Sequence, residues 1–145
     1  MRRALLAALL LAVALAPAVA QTPEMVAPAS ECPQPDAYRS CEQTRETLPG
    51  DIARAWKGDY QGQRNVAFCL LTGCDDSIRV DRLTGCAWRI VIVQSGASEV
   101  DQSDTLNLDV NCAAKLSRTE KQAAVAKAAT IYKKVYGRAA PKFAW

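Results

Sequence analysis

The sequence predicts an all-α fold of four or five helices, packed as antiparallel helix–turn–helix pairs and stapled by disulfides. Two facts of composition and one pattern support that class. Aromatic residues make up 6% of the chain while alanine is abundant, and a core of Ala, Val and Leu suits closely apposed helices better than a β-sandwich. Half of the residues are apolar and 23% are charged, a balance that argues for a packed core rather than disorder. Apolar residues then recur at helical spacing between capping residues and helix-ending glycines.

The first twenty residues have the three parts of a secretion signal. Arg2 and Arg3 precede the apolar run Leu5 to Leu15, and Ala18-Val19-Ala20 supplies a small-residue cleavage site. The run is too short to span a bilayer comfortably. The expectation is an exported chain, periplasmic or extracellular once residues 1–20 are removed, with no transmembrane segment in its mature part. Residues 21–40 hold Pro23, Pro28, Pro33 and Pro35 among small and polar residues, which predicts an extended leader. A single helical domain is expected over 41–140 and a short tail over 141–145.

Within the domain, Cys41 to Leu48 predicts a short helix that Pro49-Gly50 stops. Asp51 to Lys57 predicts another, with Ile52, Ala55 and Trp56 on one side and Gly58 at its end. Asp59 caps a helix to about Thr72 that turns Val66, Ala67, Leu70 and Leu71 inward, and Gly73 closes it. Residues 74–80 form a loop. Asp81 caps the next helix, with Cys86, Ala87, Ile90 and Val91 on one face. The β-branched run Ile90 to Val93 favours a strand by propensity alone. Gly73 and Ser95-Gly96 bracket an arm of helical length, so a helix is predicted. Asp104 to Leu116 predicts a further helix facing Leu106, Val110, Ala113 and Leu116 inward. Ser117 and Glu120 fit a capping box for a last helix to Tyr136. Its stripe is Ala124, Ala128, Ile131 and Val135, with Glu120, Lys127 and Lys134 opposite. Gly137 and Pro141 end it.

Chemistry is constrained more by what the sequence lacks. There is no histidine, which removes His-based triads, His zinc sites and histidine pH switches. The motifs GxxxxGK[ST], GxSxG and SxxK are absent. No catalytic residue, cofactor site or metal site is therefore assigned, and a non-enzymatic role is expected. Cys32, Cys41, Cys69, Cys74, Cys86 and Cys112 are an even set in a small exported chain, and without a CxxC pair they predict three disulfides rather than a metal centre. Asp75-Asp76 is a weak cation candidate or a solvated turn. Asp101 and Asp104, with Glu99 nearby, suit an acid–base pair or surface caps, and surface caps are favoured. Trp56 and Trp88 suit the core or a stacking site.

Charge divides along the chain. Residues 21–114 carry eight basic and fourteen acidic side chains, whereas residues 115–145 carry eight basic and one acidic. Lys127, Lys133, Lys134 and Arg138 form a possible basic surface, either a solvated face or a binder of anionic surfaces. Aromatics and bases alternate too little to argue for nucleic acid.

The stretch from Gly58 to Gly96 resembles one Sel1-like repeat, a helix–turn–helix unit related to the tetratricopeptide class. Gly62-Gln63, Asn65-Val66-Ala67, Gly73, and then Asp81, Gly85 and Trp88 stand at the family's positions, and Trp56 resembles the tail of a preceding repeat. Gly58, Gly62, Ala67, Gly73, Gly85 and Trp88 are the expected packing positions, since small residues let two helices approach while a tryptophan fills the remaining space. The turn is about three residues longer than the family's, and no second full repeat is recognisable, although stacked units normally stabilise one another. An antiparallel pair turning near Ser77 would bring Cys69 and Cys86 to matching depth, the favoured single bridge.

The resemblance implies an interaction module making protein–protein contact in a bacterial periplasm or cell envelope, with Gln63, Arg64 and Asn65 as polar candidates for its face. Asn65 suits equally a structural bond to the neighbouring turn. A cell-envelope enzyme, related to peptidoglycan or β-lactams, is the alternative that some secreted relatives suggest. The partner, the oligomeric state and the biological process are not written in the sequence.

Overall fold

A computed structural model describes residues 31–32 and 38–145. The expected signal at 1–20, and most of the leader at 21–40, lie outside the described residues. Five α-helices run in order: α1 Tyr38–Ala55, α2 Tyr60–Thr72, α3 Arg82–Gln94, α4 Gln102–Leu108 and α5 Arg118–Tyr136. A five-residue π-helical turn, Asp109–Ala113, prolongs α4. The all-α class expected from composition and spacing is what forms.

The helix α3 is the centre. It packs against α2, α4 and α5, while α1 packs on the other side of α2. Gly85 through Ile92 are buried without interruption. A helix enclosed on all sides has no need of a polar face, which is why the β-branched run Ile90 to Val93 is helical despite its strand propensity.

The caps fall where their residue types predict. Asp59 accepts from the Gly62 amide, Asp81 from the Thr84 amide, and Ser117 and Glu120 close a reciprocal capping box. Gly73 and Gly137 end their helices in the left-handed conformation, at φ 84° and 67°. Gly62 sits where α1 and α2 touch: a Cβ there would lie 2.8 Å from the Ala55 backbone nitrogen. Gly85 does the same between α3 and α2, where a Cβ would meet Leu71 Cγ at 2.8 Å.

Three expectations are corrected. Pro49 does not stop a helix; α1 runs through it as one element. Leu48, Ile52 and Ala55 share one side and pack into the core, and this burial outweighs the interior-proline cost of about 3 kcal/mol. The fourth helix begins at Gln102, two residues earlier than predicted, with Asp101 as its cap and Asp104 inside its first turn. Its inward residues are Asp104, Leu108, Cys112 and Leu116, while Leu106 and Val110 face out. Four residues of α-helix overshoot a full turn by about 40°. The wider π-turn rotates less per residue and brings Cys112 back to the inward side.

The third correction concerns the bridges. Cys69 pairs with Cys74, Cys86 with Cys112 and Cys32 with Cys41, with Cα separations of 4.8, 5.6 and 5.7 Å. The favoured Cys69–Cys86 pair does not form. Gly85 faces Leu70 and Leu71 on α2, so Cys86, about 100° further round, points away from α2. Beyond Gly73, Cys74, Asp75 and Asp76 all adopt positive φ, curling the chain back over the last turn of α2. The tail from Arg138 also returns: Gln94 Nε2 donates to the Pro141 carbonyl at 2.8 Å, and Trp145 lies by Lys121 near the start of α5.

Candidate functional site

A cluster of charged side chains occupies the junction of α2, α3 and α4, and it begins with the solvation problem of one residue. Arg89 stands in the apolar run of α3 and is 4% exposed. A buried guanidinium requires an acidic partner. The nearest is Asp104 of α4, itself fully buried, whose Oδ1 lies 4.0 Å from Arg89 Nη1 and 3.3 Å from Arg64 Nε. Asp104 Oδ2 accepts from the Tyr60 hydroxyl at 2.6 Å and from the Asp101 amide at 3.3 Å. The latter bond is half of the capping box that starts α4.

Arg64 forms the outer edge. It is 30% exposed, reaches Tyr60 Oη through Nη1 at 3.1 Å and Ser103 Oγ through Nη2 at 3.4 Å, and stacks over the Tyr60 ring. Tyr60 and Arg64 are four residues apart and share one side of α2. Ser103 and Asp104 come from α4, because Asp101 fixes where that helix starts.

Electrostatics set protonation. Burial, and then the neighbouring Arg64, lower the affinity of Arg89 for its proton, and Asp104 opposes them. Burial and the bond to Asp104 raise the Tyr60 phenol above its ordinary value, so it remains a neutral donor. The Asp101 carboxyl is held below its ordinary range by hydrogen bonds from Ser103. Three buried atoms here make no hydrogen bond, the donors Arg89 Nε and Nη1 and the acceptor Asp104 Oδ1. Asp101 adds a second carboxylate within electrostatic reach of Arg64, so two carboxylates balance the two guanidiniums.

Both aspartates cap α4 as expected, Asp101 at an exposed position and Asp104 as the reciprocal partner in the first turn, but Asp104 is buried rather than at the surface. Gln63, expected on the binding face, is buried and bonds the Ala55 carbonyl and Tyr136 Oη at 3.3 and 3.0 Å. Asn65 bonds Asp51 of α1 at 3.0 Å, a structural link between helices. Ala67 and Trp88 are buried, and Trp56 meets Trp88 edge-on at 5.0 Å between ring centroids. Gly58, at φ 87°, lies against Tyr136 and Val135.

Lys127 and Lys134, seven residues apart, share one side of α5, and Lys134 and Arg138 are exposed. Lys127, expected opposite the core, donates to Thr84 of α3. Lys134 lies over Trp56 and Arg138 over Tyr132, and Tyr132 is a core residue rather than part of a charged surface. Lys133 is exposed. Among the described residues, no group of His, Cys, Asp and Glu is arranged to hold a metal, and Asp75 and Asp76 are exposed.

Sequence reasoning missed Arg89 and Tyr60. The signal was present as one arginine inside Ala87-Trp88-Arg89-Ile90-Val91, where burial demands a counter-charge. Compared with family models, with curated proteins and with solved structures, the chain matches none of them.

Proposed function

We propose that this chain is an exported interaction module, a divergent Sel1-like helical hairpin extended by α1, α4 and α5, that contacts another protein in the periplasm or cell envelope. The observation that carries this is that two of the helices holding the arginine cluster expose three large apolar side chains. Phe68 is 53% exposed on α2, one helical step beyond Arg64, while Leu106 and Val110 are 53% and 59% exposed on α4 and its π-turn. Aromatic residues and arginine are enriched at protein interfaces, and Phe68 with the part-exposed Arg64 one turn before it is such a pair on α2. Three supports stand beside it. The Gly62 and Gly85 contacts suit the family's close helix packing. The three disulfides suit an oxidising compartment. No helix of the described residues is long and apolar enough to cross a membrane.

Photo-crosslinking in the native compartment tests the proposal. A benzoylphenylalanine at position 68 or 106 should capture a discrete protein, and the same probe at the exposed Ala123 of α5 should not. Equal labelling from all three positions, or none from 68 and 106, overturns it.

A further inference from the structure

We propose that the Cys69–Cys74 bridge is a redox switch, opened by a dithiol that attacks Cys74, and that opening it releases residues 74–76 while the hairpin of α2 and α3 stays closed. Two independent observations single out this bridge. Cys32, Cys41, Cys69, Cys86 and Cys112 are all buried, whereas Cys74 is partly exposed. Thiol–disulfide exchange requires a thiolate to reach a sulfur, so access decides which bridge reacts. Cys86 and Cys112, by contrast, are both fully enclosed. Cys74, Asp75 and Asp76 also run consecutively at φ 45°, 56° and 61°. A side chain makes that left-handed path costly, and such residues persist only where their surroundings hold them. The bond to Cys69 is one restraint, and the Cys74 amide adds a hydrogen bond to Thr72 Oγ1 at 3.2 Å.

The chain beyond this turn is anchored without the bridge. Ser77 and Ile78 are buried, and both donate to the Gly73 carbonyl, Ile78 through its amide at 3.2 Å and Ser77 through its hydroxyl at 3.4 Å. The Asp81 amide donates to the Leu70 carbonyl at 2.9 Å. These bonds tie residues 77–81 directly to the end of α2 and bypass the left-handed turn, whose Asp75 and Asp76 are exposed. Loss of the bridge therefore frees a short curl and leaves the hairpin. In the first step a thiolate of the dithiol bonds to Cys74 Sγ as the bond to Cys69 breaks, and Cys69 leaves as a thiolate that takes up a proton. The second thiolate of the reagent then attacks its own sulfur in the mixed disulfide, and Cys74 leaves in the same way. The bridge gains two electrons and two protons, and the dithiol becomes a disulfide. An oxidised carrier of the same class reverses both steps.

Limited reduction of the oxidised chain with dithiothreitol at neutral pH, stopped by N-ethylmaleimide and mapped by peptide mass, gives the order of opening. Cys69–Cys74 should open first, on the order of tenfold faster than Cys86–Cys112. If Cys86–Cys112 or Cys32–Cys41 opens first, or all three open together, the switch does not exist. A second readout separates a switch from a structural clasp. In the singly reduced chain the amide resonances of residues 73–77 should move, those of residues 90–93 should stay in place, and reoxidation should restore the starting spectrum. Collapse of resonance dispersion across the helices, or unmoved resonances at 73–77, overturns the proposal. Both measurements use the unmutated chain, so neither depends on whether a cysteine variant folds.

Discussion

Asp104 holds the junction of three helices together through groups that would otherwise be uncompensated. It satisfies Tyr60, completes the cap of α4 and faces both Arg64 and Arg89. Asp104→Ala leaves a buried cation without a counter-ion, and the expected loss is about 3–5 kcal/mol in urea unfolding with the disulfides intact. A loss below about 1 kcal/mol would place the cluster in water rather than in the interior. Two other carboxyls respond to acid by a different route. Asp101 and Glu120 are each held below the ordinary carboxyl range, chiefly by the serine hydroxyls of their caps. A lowered folded-state pKa means that the stabilisation is fully present above the unfolded value, 4.5 for Glu120, and is lost as pH falls through the lower folded value. Ser117→Ala should return the Glu120 titration towards its ordinary value and flatten that part of the acid limb. Carboxyl carbon shifts followed against pH test this directly.

At the scale of helices, two glycines carry the close contacts, and they differ in what surrounds them. A Cβ at position 62 would meet the backbone nitrogen of Ala55 and the carbonyl oxygen of Asp51, at 2.8 and 2.9 Å. At position 85 it would meet the side chains of Leu71 and Leu70. Backbone cannot move without displacing α1, whereas Leu71 is partly exposed and can change rotamer. Gly62→Ala should therefore cost about 2–3 kcal/mol, and Gly85→Ala about 1 kcal/mol or less, after the helix-propensity gain of about 1 kcal/mol that favours both. Thermal unfolding of the two variants side by side gives the order, and stabilisation by Gly62→Ala would contradict the close packing of α1 on α2. The neighbouring element was the hardest to anticipate. Leu106 and Val110 follow an apolar helical pattern that predicts burial, yet Asp104, Leu108 and Cys112 turn inward instead. A cap at Asp101 and a bridge to Cys86 set the rotation of that helix, and neither constraint is visible in its own apolar spacing.

For the molecule as a whole, the bridges divide into local clasps and one long link. Cys69–Cys74 and Cys32–Cys41 close short stretches, while Cys86–Cys112 spans 26 residues and ties the π-turn to α3. If the unfolded chain is the main thing a bridge restrains, losing Cys86–Cys112 costs about 3.5 kcal/mol and losing Cys69–Cys74 about 2 kcal/mol. Paired Cys→Ala variants measured in guanidinium test this order, and peptide mapping without reduction tests the pairing itself. The boundaries of α2, α3 and α5 were legible because each is set within a few residues, by Asp59, Asp81 and Ser117 at one end and by Gly73 and Gly137 for two of them at the other. A side-chain cap or a left-handed glycine acts on its own turn and requires nothing from elsewhere in the chain. Continuity through Pro49, the pairing of six cysteines and the burial of Asp104 were not legible. Each is decided by which surfaces meet across long separations: Leu48 against the core, Cys86 turned from α2 towards Cys112, Arg64 and Arg89 converging on one carboxylate. The sequence alone determined a helical chain with its local stops and starts, since those energies are local. Only the packed structure decided where one buried arginine finds its counter-charge, because that depends on three helices meeting at one point.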